Sequence, residues 1–225
     1  IFSLTNERNA GPPASVTPMK GCFITLEGTD GSGKSTQLDL LTRSLMQAGY
    51  PVTVTREPGG CPVSEMMRSI LLDPASNLCD ISELLLCQAA RAQHVRDVIL
   101  PALEAGRIVL CDRFTHSTLA YQGWARGLDT GLIEQLNRLA SFGLTPDLTV
   151  MLLVPPEQSF SRKGGADSAD RIERCGSAFH QAVYDGYCAM AEHDSRIFAL
   201  HTAEMTKQQT AALILERVLS LLQGK

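Results

Sequence analysis

Hydrophobic positions along the chain fall into two alternating patterns. Short continuous apolar runs, the mark of strands buried on both faces, occur at 22–27 (CFITLE), 52–55 (VTVT), 107–111 (RIVLC), 148–154 (LTVMLLV) and near 196–200 (RIFAL). Between them lie stretches with a helical period: 34–49, closed by Gly49; about 62–72; about 80–104, which Pro101 is set to bend; about 115–125; 129–142; and a terminal helix from about 206 to 222. The segment PPEQSFSRKGGADSADRIE predicts a helix start, a loop at Gly164 and Gly165, and a new helix N-capped near Asp170 and running to about 192. Strands separated by helices predict an α/β chain. Its sheet would be five-stranded and mainly parallel, flanked by helices on both faces, with ligands at the carboxyl ends of the strands.

Composition narrows this picture without changing it. A chain of 225 residues, 44% hydrophobic and 20% charged, suits one globular domain, here placed at 19–225. Residues 1–18 carry turn formers, no apolar period and no sustained signal-peptide core; they read as a disordered tail or cloning remnant, with Met19 a candidate natural start. A net charge of −4 argues against a sequence-independent nucleic-acid binder. The longest aliphatic run, at 148–154, is too short to span a bilayer, so no membrane role is expected. Cys22, Cys61, Cys79, Cys87, Cys111, Cys175 and Cys188 form no CxxC pair, and no histidine stands at zinc-site spacing. That scatter predicts reduced thiols in a cytoplasmic protein.

The first chemistry lies between the first strand and the first helix. Gly28, Gly33, Lys34 and Ser35 fit the pattern G-x-x-x-x-G-K-[ST], with Thr29, Asp30, Gly31 and Ser32 between them and Thr36 just after. Glycines allow backbone N–H groups to turn inward around phosphate oxygens, and the helix N-terminus adds partial positive charge. Lys34 is expected to reach the β- and γ-phosphates of ATP, and Ser35 to ligate Mg²⁺. Such a loop serves GTPases, motor ATPases, nucleoside kinases and nucleotide kinases alike. No arginine stands among these glycines, so additional charge for phosphoryl transfer must come from elsewhere in the chain.

Candidates for an acceptor site follow at the other strand ends. TREPGG places Arg56 and Glu57 at the sheet edge, where the arginine could hold a second phosphate or form a surface ion pair. VLCDRF places Asp112 and Arg113 just past the third strand. The aspartate could contact Mg²⁺ or position water, and the arginine could bridge donor and acceptor phosphates; a structural Asp-Arg pair is the alternative. Cys87 and Arg91, four residues apart in LLLCQAARAQH, share a helix face, where an arginine among Leu and Ala invites either a ligand or a buried carboxylate. Ser117, Tyr121 and Gln122 offer hydroxyls and an amide to a polar ligand edge.

FITLEGTDGSGKSTQ, TREPGG, LLLCQAARAQH, CDRFTHSTLAYQG, PDLTVMLLVPPE and DRIE occur in the order and spacing of thymidylate kinases, and the chain resembles that family over about 21–202. The resemblance implies a P-loop NTPase fold and transfer of the ATP γ-phosphate to dTMP, giving dTDP, with Mg²⁺ and usually as a homodimer. It implies that Asp30 lies near the acceptor's sugar and phosphate, that Arg56 and Arg113 hold the dTMP phosphate, and that Glu57 supports them. Arg91 matches the arginine that bonds the thymine base; Ser117, Tyr121 and Gln122 match the base and sugar pocket, and Asp112 the magnesium end.

Two departures from the family pattern stand out. Cys87 occupies the place of a phenylalanine that stacks on thymine, so either another ring such as Tyr121 or Phe114 supplies the stack or the base is bound more weakly or differently. Gly31 occupies the place of a catalytic loop arginine in one branch of the family, which makes the sequence similar to the bacterial branch, where lid arginines take that role. In a lid near 162–171, Arg162 is expected to act on the transferring phosphoryl group, with Lys163 beside it. Arg171 would face the nucleotide or pair locally. Rival readings are a deoxynucleoside kinase, a nucleotide kinase of another base preference, or a catalytically weak nucleotide-binding regulator.

Overall fold

The computed structural model describes residues 21–163, 170–192 and 194–224, without the side chains of 160–163. The expected tail at 1–18, the start at Met19, the Gly164–Gly165 loop, and the side chains of Arg162 and Lys163 lie outside the described residues.

Five strands form one sheet: β1 (Cys22–Gly28), β2 (Val52–Arg56), β3 (Ile108–Asp112), β4 (Leu148–Leu153) and β5 (Ile197–His201). Their order is β2-β3-β1-β4-β5, and every pairing is parallel. The chain fills one side of β1 before crossing to the other, so β1 flanks the switch point and its carboxyl end opens a crevice. All residues of β1 and β4 are buried, because both sheet faces are covered. Ile24, Leu26, Leu110 and Val150 pack on one face against Leu41 and Leu45 of α1 (Lys34–Gln47) and Ile214 and Val218 of the terminal helix at 207–223. On the other face, Phe23 and Val109 meet Val95 and Ile99, while Met151 and Leu153 meet Val183 and Tyr187. Among the described residues no helix is long and apolar enough to cross a membrane.

The remaining helices are α2 (Pro62–Leu72), α3 (Asp80–His94), α4 (Leu100–Glu104), α5 (Thr115–Thr118), α6 (Thr130–Ala140), α7 (Pro156–Lys163), α8 (Ser177–Ala191) and α9 (Lys207–Gln223). The helix expected over 80–104 is three pieces, because a π-helical turn at Val95–Ile99 widens the coil just ahead of Pro101, whose ring and missing N–H disturb a regular ladder. A second π-helical turn, Leu119–Ala125, continues α5. The helix expected from Asp170 begins only at Ser177. Asp170 does cap, its Oδ1 accepting from the N–H groups of Ile172 and Glu173, but the turn it starts ends before Gly176.

Candidate functional site

The carboxyl ends of β1, β2 and β3 carry the candidate residues to one rim. After β1 the chain turns through Gly28 and Gly31, at φ 138° and 77°. A Cβ at Gly28 would strike the Leu152 carbonyl, and one at Gly31 the Ser159 carbonyl at the start of α7. The second contact gives a physical reason for the missing loop arginine: this backbone leaves no room for a side chain at Gly31. Lys34 opens α1 and folds back over the loop, its Nζ donating to the carbonyls of Gly28 and Thr29 at 3.0 and 2.9 Å. Burial and the nearby Arg113 guanidinium pull the Lys34 ammonium down to about 8.

A cleft of about 820 Å³ runs along this loop, lined by Asp30 through Thr36 on one side and by Arg56, Asp112 and Arg113 on another. Gly28 and Thr29 of the expected ATP-binding set lie behind it. Two buried oxygens in the cleft wall, Ser32 Oγ and Asp112 Oδ1, have no hydrogen-bond partner among the described residues. A buried carboxylate oxygen left unmatched beside a phosphate loop, with Ser35 lining the same cleft, fits a hard divalent cation.

A second cavity, about 130 Å³, lies against α3 and the segment after β3. Cys87, Arg91, Ser117, Tyr121 and Gln122 all line it. Four residues, Asp30, Glu57, Arg68 and Arg113, line both spaces and mark where they meet.

Arg113 stands at that junction with φ 72°, a left-handed turn that swings its side chain back across the β1 end. Its Nη2 donates to Asp30 Oδ1 at 2.7 Å and to the Tyr121 hydroxyl at 3.2 Å; its Nη1 donates to Gly28 O, Tyr187 Oη and Ser117 Oγ. The guanidinium carbon lies 5.1 Å from the Tyr121 ring centroid. The partner of Arg113 is therefore Asp30 of the phosphate loop, and Asp112 is left to face the cleft.

Arg91 is buried and satisfied throughout. Nε donates to Glu57 Oε2 at 2.7 Å, Nη1 to Asn137 Oδ1 and Gln88 Oε1 at 2.5 and 3.3 Å, and Nη2 to the Phe114 carbonyl and Thr118 Oγ1 at 3.0 and 2.9 Å. The buried-carboxylate alternative is thus realised, with Glu57 also joined to His94 Nδ1 at 3.0 Å. Arg91 nevertheless lines the cavity, where a base edge would share or replace one of these acceptors. Phe114 is fully buried, its ring covered by Arg91 at 5.1 Å and met edge-on by Phe23. Cys87 stays a neutral thiol, pushed up to about 12 by burial.

Arg56 lines the larger cleft while paired with Glu65 at 2.9 Å, and its side chain is 53% exposed, so the surface-ion-pair alternative is realised. Arg171 pairs locally: Nε donates to Leu71 O at 2.9 Å and Nη2 lies 2.7 Å from Glu83 Oε2. Glu83 also receives Gln122 and Arg126. Burial alone would raise its carboxyl, but bonds from Arg126, Gln122 and Arg171 outweigh that and hold it below the ordinary carboxylate range.

Sequence reasoning missed Glu27, Arg68, Glu83, Thr118 and Tyr187. Glu83 had a visible signal, a carboxylate inside the apolar run ISELLL; Arg68 and Tyr187 had none, because their relation to the site is purely tertiary.

The family model described as thymidylate kinase matches residues 26–213. A thymidylate kinase of Geotalea uraniireducens is 47% identical over 209 residues, 90% of this chain and 98% of the relative. One from Geobacter sp. strain M21 is 50% identical over 204 residues, 87% of this chain and 90% of the relative. The crystal structure of thymidylate kinase from Ehrlichia chaffeensis superposes with a TM-score of 0.71 at 36% identity, covering 90% of this chain and 100% of that one.

Proposed function

We propose how a chain that belongs to the thymidylate kinase family, and so transfers the γ-phosphate of ATP to dTMP to give dTDP, divides that reaction among its own residues. The observation that carries the reading is the meeting of the two spaces at Asp30, Glu57, Arg68 and Arg113. The larger cleft takes the ATP phosphates, with the loop N–H groups and Lys34 around them. The smaller cavity takes the thymine and sugar, with Arg91, Gln122 and Tyr121 at its polar edge. The acceptor phosphate then falls at the junction, where Arg113 holds it and Arg56 can turn from Glu65 to join.

An ionised phosphate oxygen is already a nucleophile, so no general base is required, and the protein's task is alignment and charge stabilisation. Mg²⁺ supplies neutralisation of the phosphate oxygens when bound, and Ser35 and Asp112 are the residues that would hold it. Asp30 anchors Arg113 to the phosphate loop, which ties acceptor position to donor position.

A coupled assay offering thymidine, dTMP, dUMP, dCMP and dGMP to one preparation with ATP and Mg²⁺ tests the reading. dTMP is expected to be the preferred acceptor, with thymidine inert, because the junction is built for a phosphate. Preferred phosphorylation of thymidine, or of dCMP or dGMP over dTMP, would overturn it and point to Cys87 as the site of altered base preference.

A further inference from the structure

Glu27, at the end of β1, is fully buried, touches neither space, and has no part in the roles assigned above. A carboxylate in such a place requires donors, and it has four. Oε1 accepts from the Phe114 and Ser117 N–H groups at 2.8 and 3.3 Å; Oε2 accepts from Ser117 Oγ at 2.6 Å and Tyr187 Oη at 3.2 Å. The two hydroxyls also lie 2.8 Å apart.

Each hydroxyl has one proton and two lone pairs, so its direction is decided by its strongest acceptor. Ser117 donates to the carboxylate over the short contact. Its oxygen is then left to accept from Tyr187 at 2.8 Å and from Arg113 Nη1 at 3.2 Å. The Tyr187 proton points toward Ser117 and Glu27, and its oxygen likewise accepts from Arg113 Nη1, at 3.1 Å. Burial, with Glu27 beside it, pushes the Tyr187 phenol well above its ordinary value, so it keeps its proton and stays a donor toward Glu27. The protons of both hydroxyls and both lone pairs of Ser117 Oγ are thus engaged, and the direction of the two protons is imposed by the one negative charge.

We infer that Glu27 is a positioning residue for the acceptor phosphate: its buried carboxylate draws the protons of Ser117 and Tyr187 and so turns both hydroxyl oxygens toward the guanidinium of Arg113. The inference rests on the reading that Arg113 holds that phosphate. It also reassigns Ser117, whose hydroxyl is committed to the relay instead of to the base or sugar. A neutral amide at position 27 would present N–H groups to the hydroxyls, free them to point at the guanidinium, and loosen Arg113 while leaving the base end of the cavity in place.

Glu27→Gln preserves shape and is compared with wild type by three constants: KM for dTMP, KM for ATP, and Ki of thymidine as an inhibitor competitive with dTMP. The expected result is a rise in dTMP KM of about tenfold or more, the scale of a disoriented charge-assisted network, with thymidine Ki and ATP KM each changed by less than about twofold. An unchanged dTMP KM, or equal losses for dTMP and thymidine, overturns the inference. Arg113→Ala is run beside it: if that variant loses neither dTMP affinity nor turnover, the phosphate assignment itself fails whatever Glu27→Gln does. Should Glu27→Gln not fold, Tyr187→Phe removes one hydroxyl of the relay and is expected to raise dTMP KM about threefold with thymidine Ki unchanged; dTMP kinetics identical to wild type would overturn the inference.

Discussion

Replacing Lys34 with methionine is expected to lower kcat/KM for ATP by about two to three orders of magnitude, the scale of losing a preorganised donor aimed at developing phosphate charge. Lys34 is the only cation within the loop, and its Nζ bonds the Gly28 and Thr29 carbonyls, contacts that a triphosphate would replace. Its ammonium is held down to about 8 by burial and by repulsion from Arg113, against an ordinary value of 10.5. The sign of the pH effect follows. Below about pH 8 the group is charged and attracts the triphosphate; above it the free protein holds a neutral amine that must take up a proton to bind. ATP affinity should therefore fall above about pH 8, approaching a tenfold loss per pH unit, and binding at pH 9 should draw protons from the buffer. Calorimetry in buffers of different ionisation enthalpy reads both effects. Lys34→Arg should abolish the inflection, and a pH-independent wild type would show that the Lys34 ammonium is not held down in the free protein.

The second large effect is expected at Arg91. Arg91→Met removes the guanidinium that neutralises Glu57, leaving a buried carboxylate with His94 as its remaining side-chain partner, a loss of about 3–5 kcal/mol in stability. It should also raise dTMP KM. The double variant Arg91→Met with Glu57→Gln separates the two roles that this arginine could have. Removing the stranded charge should restore much of the stability, read by urea unfolding, but not the dTMP KM. Recovery of both would mean that Arg91 exists to neutralise Glu57 and takes no part in reading the base.

How much of this was legible in the sequence depends on the reach of each interaction. The phosphate loop was readable because its chemistry is local: glycines, lysine and serine act through backbone turns within a few residues, between a strand and a helix that the apolar pattern identifies. Asp112 and Arg113 were readable as strand-end residues, though not their separation into a cleft-facing aspartate and an arginine paired to Asp30, since that depends on the left-handed turn at Arg113. The Asp170 cap was real, but its chemistry is the same for a full helix and for a turn that Gly176 ends. The relay at Glu27 was invisible because it joins groups as far as 160 residues apart. Gly31 was readable as an absence, and only the Ser159 carbonyl across from it supplies the reason.

If the two spaces are halves of one site meeting at Asp30, Glu57, Arg68 and Arg113, one ligand can fill both. A single molecule joining adenosine to thymidine through a chain of phosphates tests it most directly, by steady-state inhibition and by titration calorimetry. One molecule bound per chain and competitive inhibition against both ATP and dTMP are expected. Competition with one substrate and not the other would contradict it.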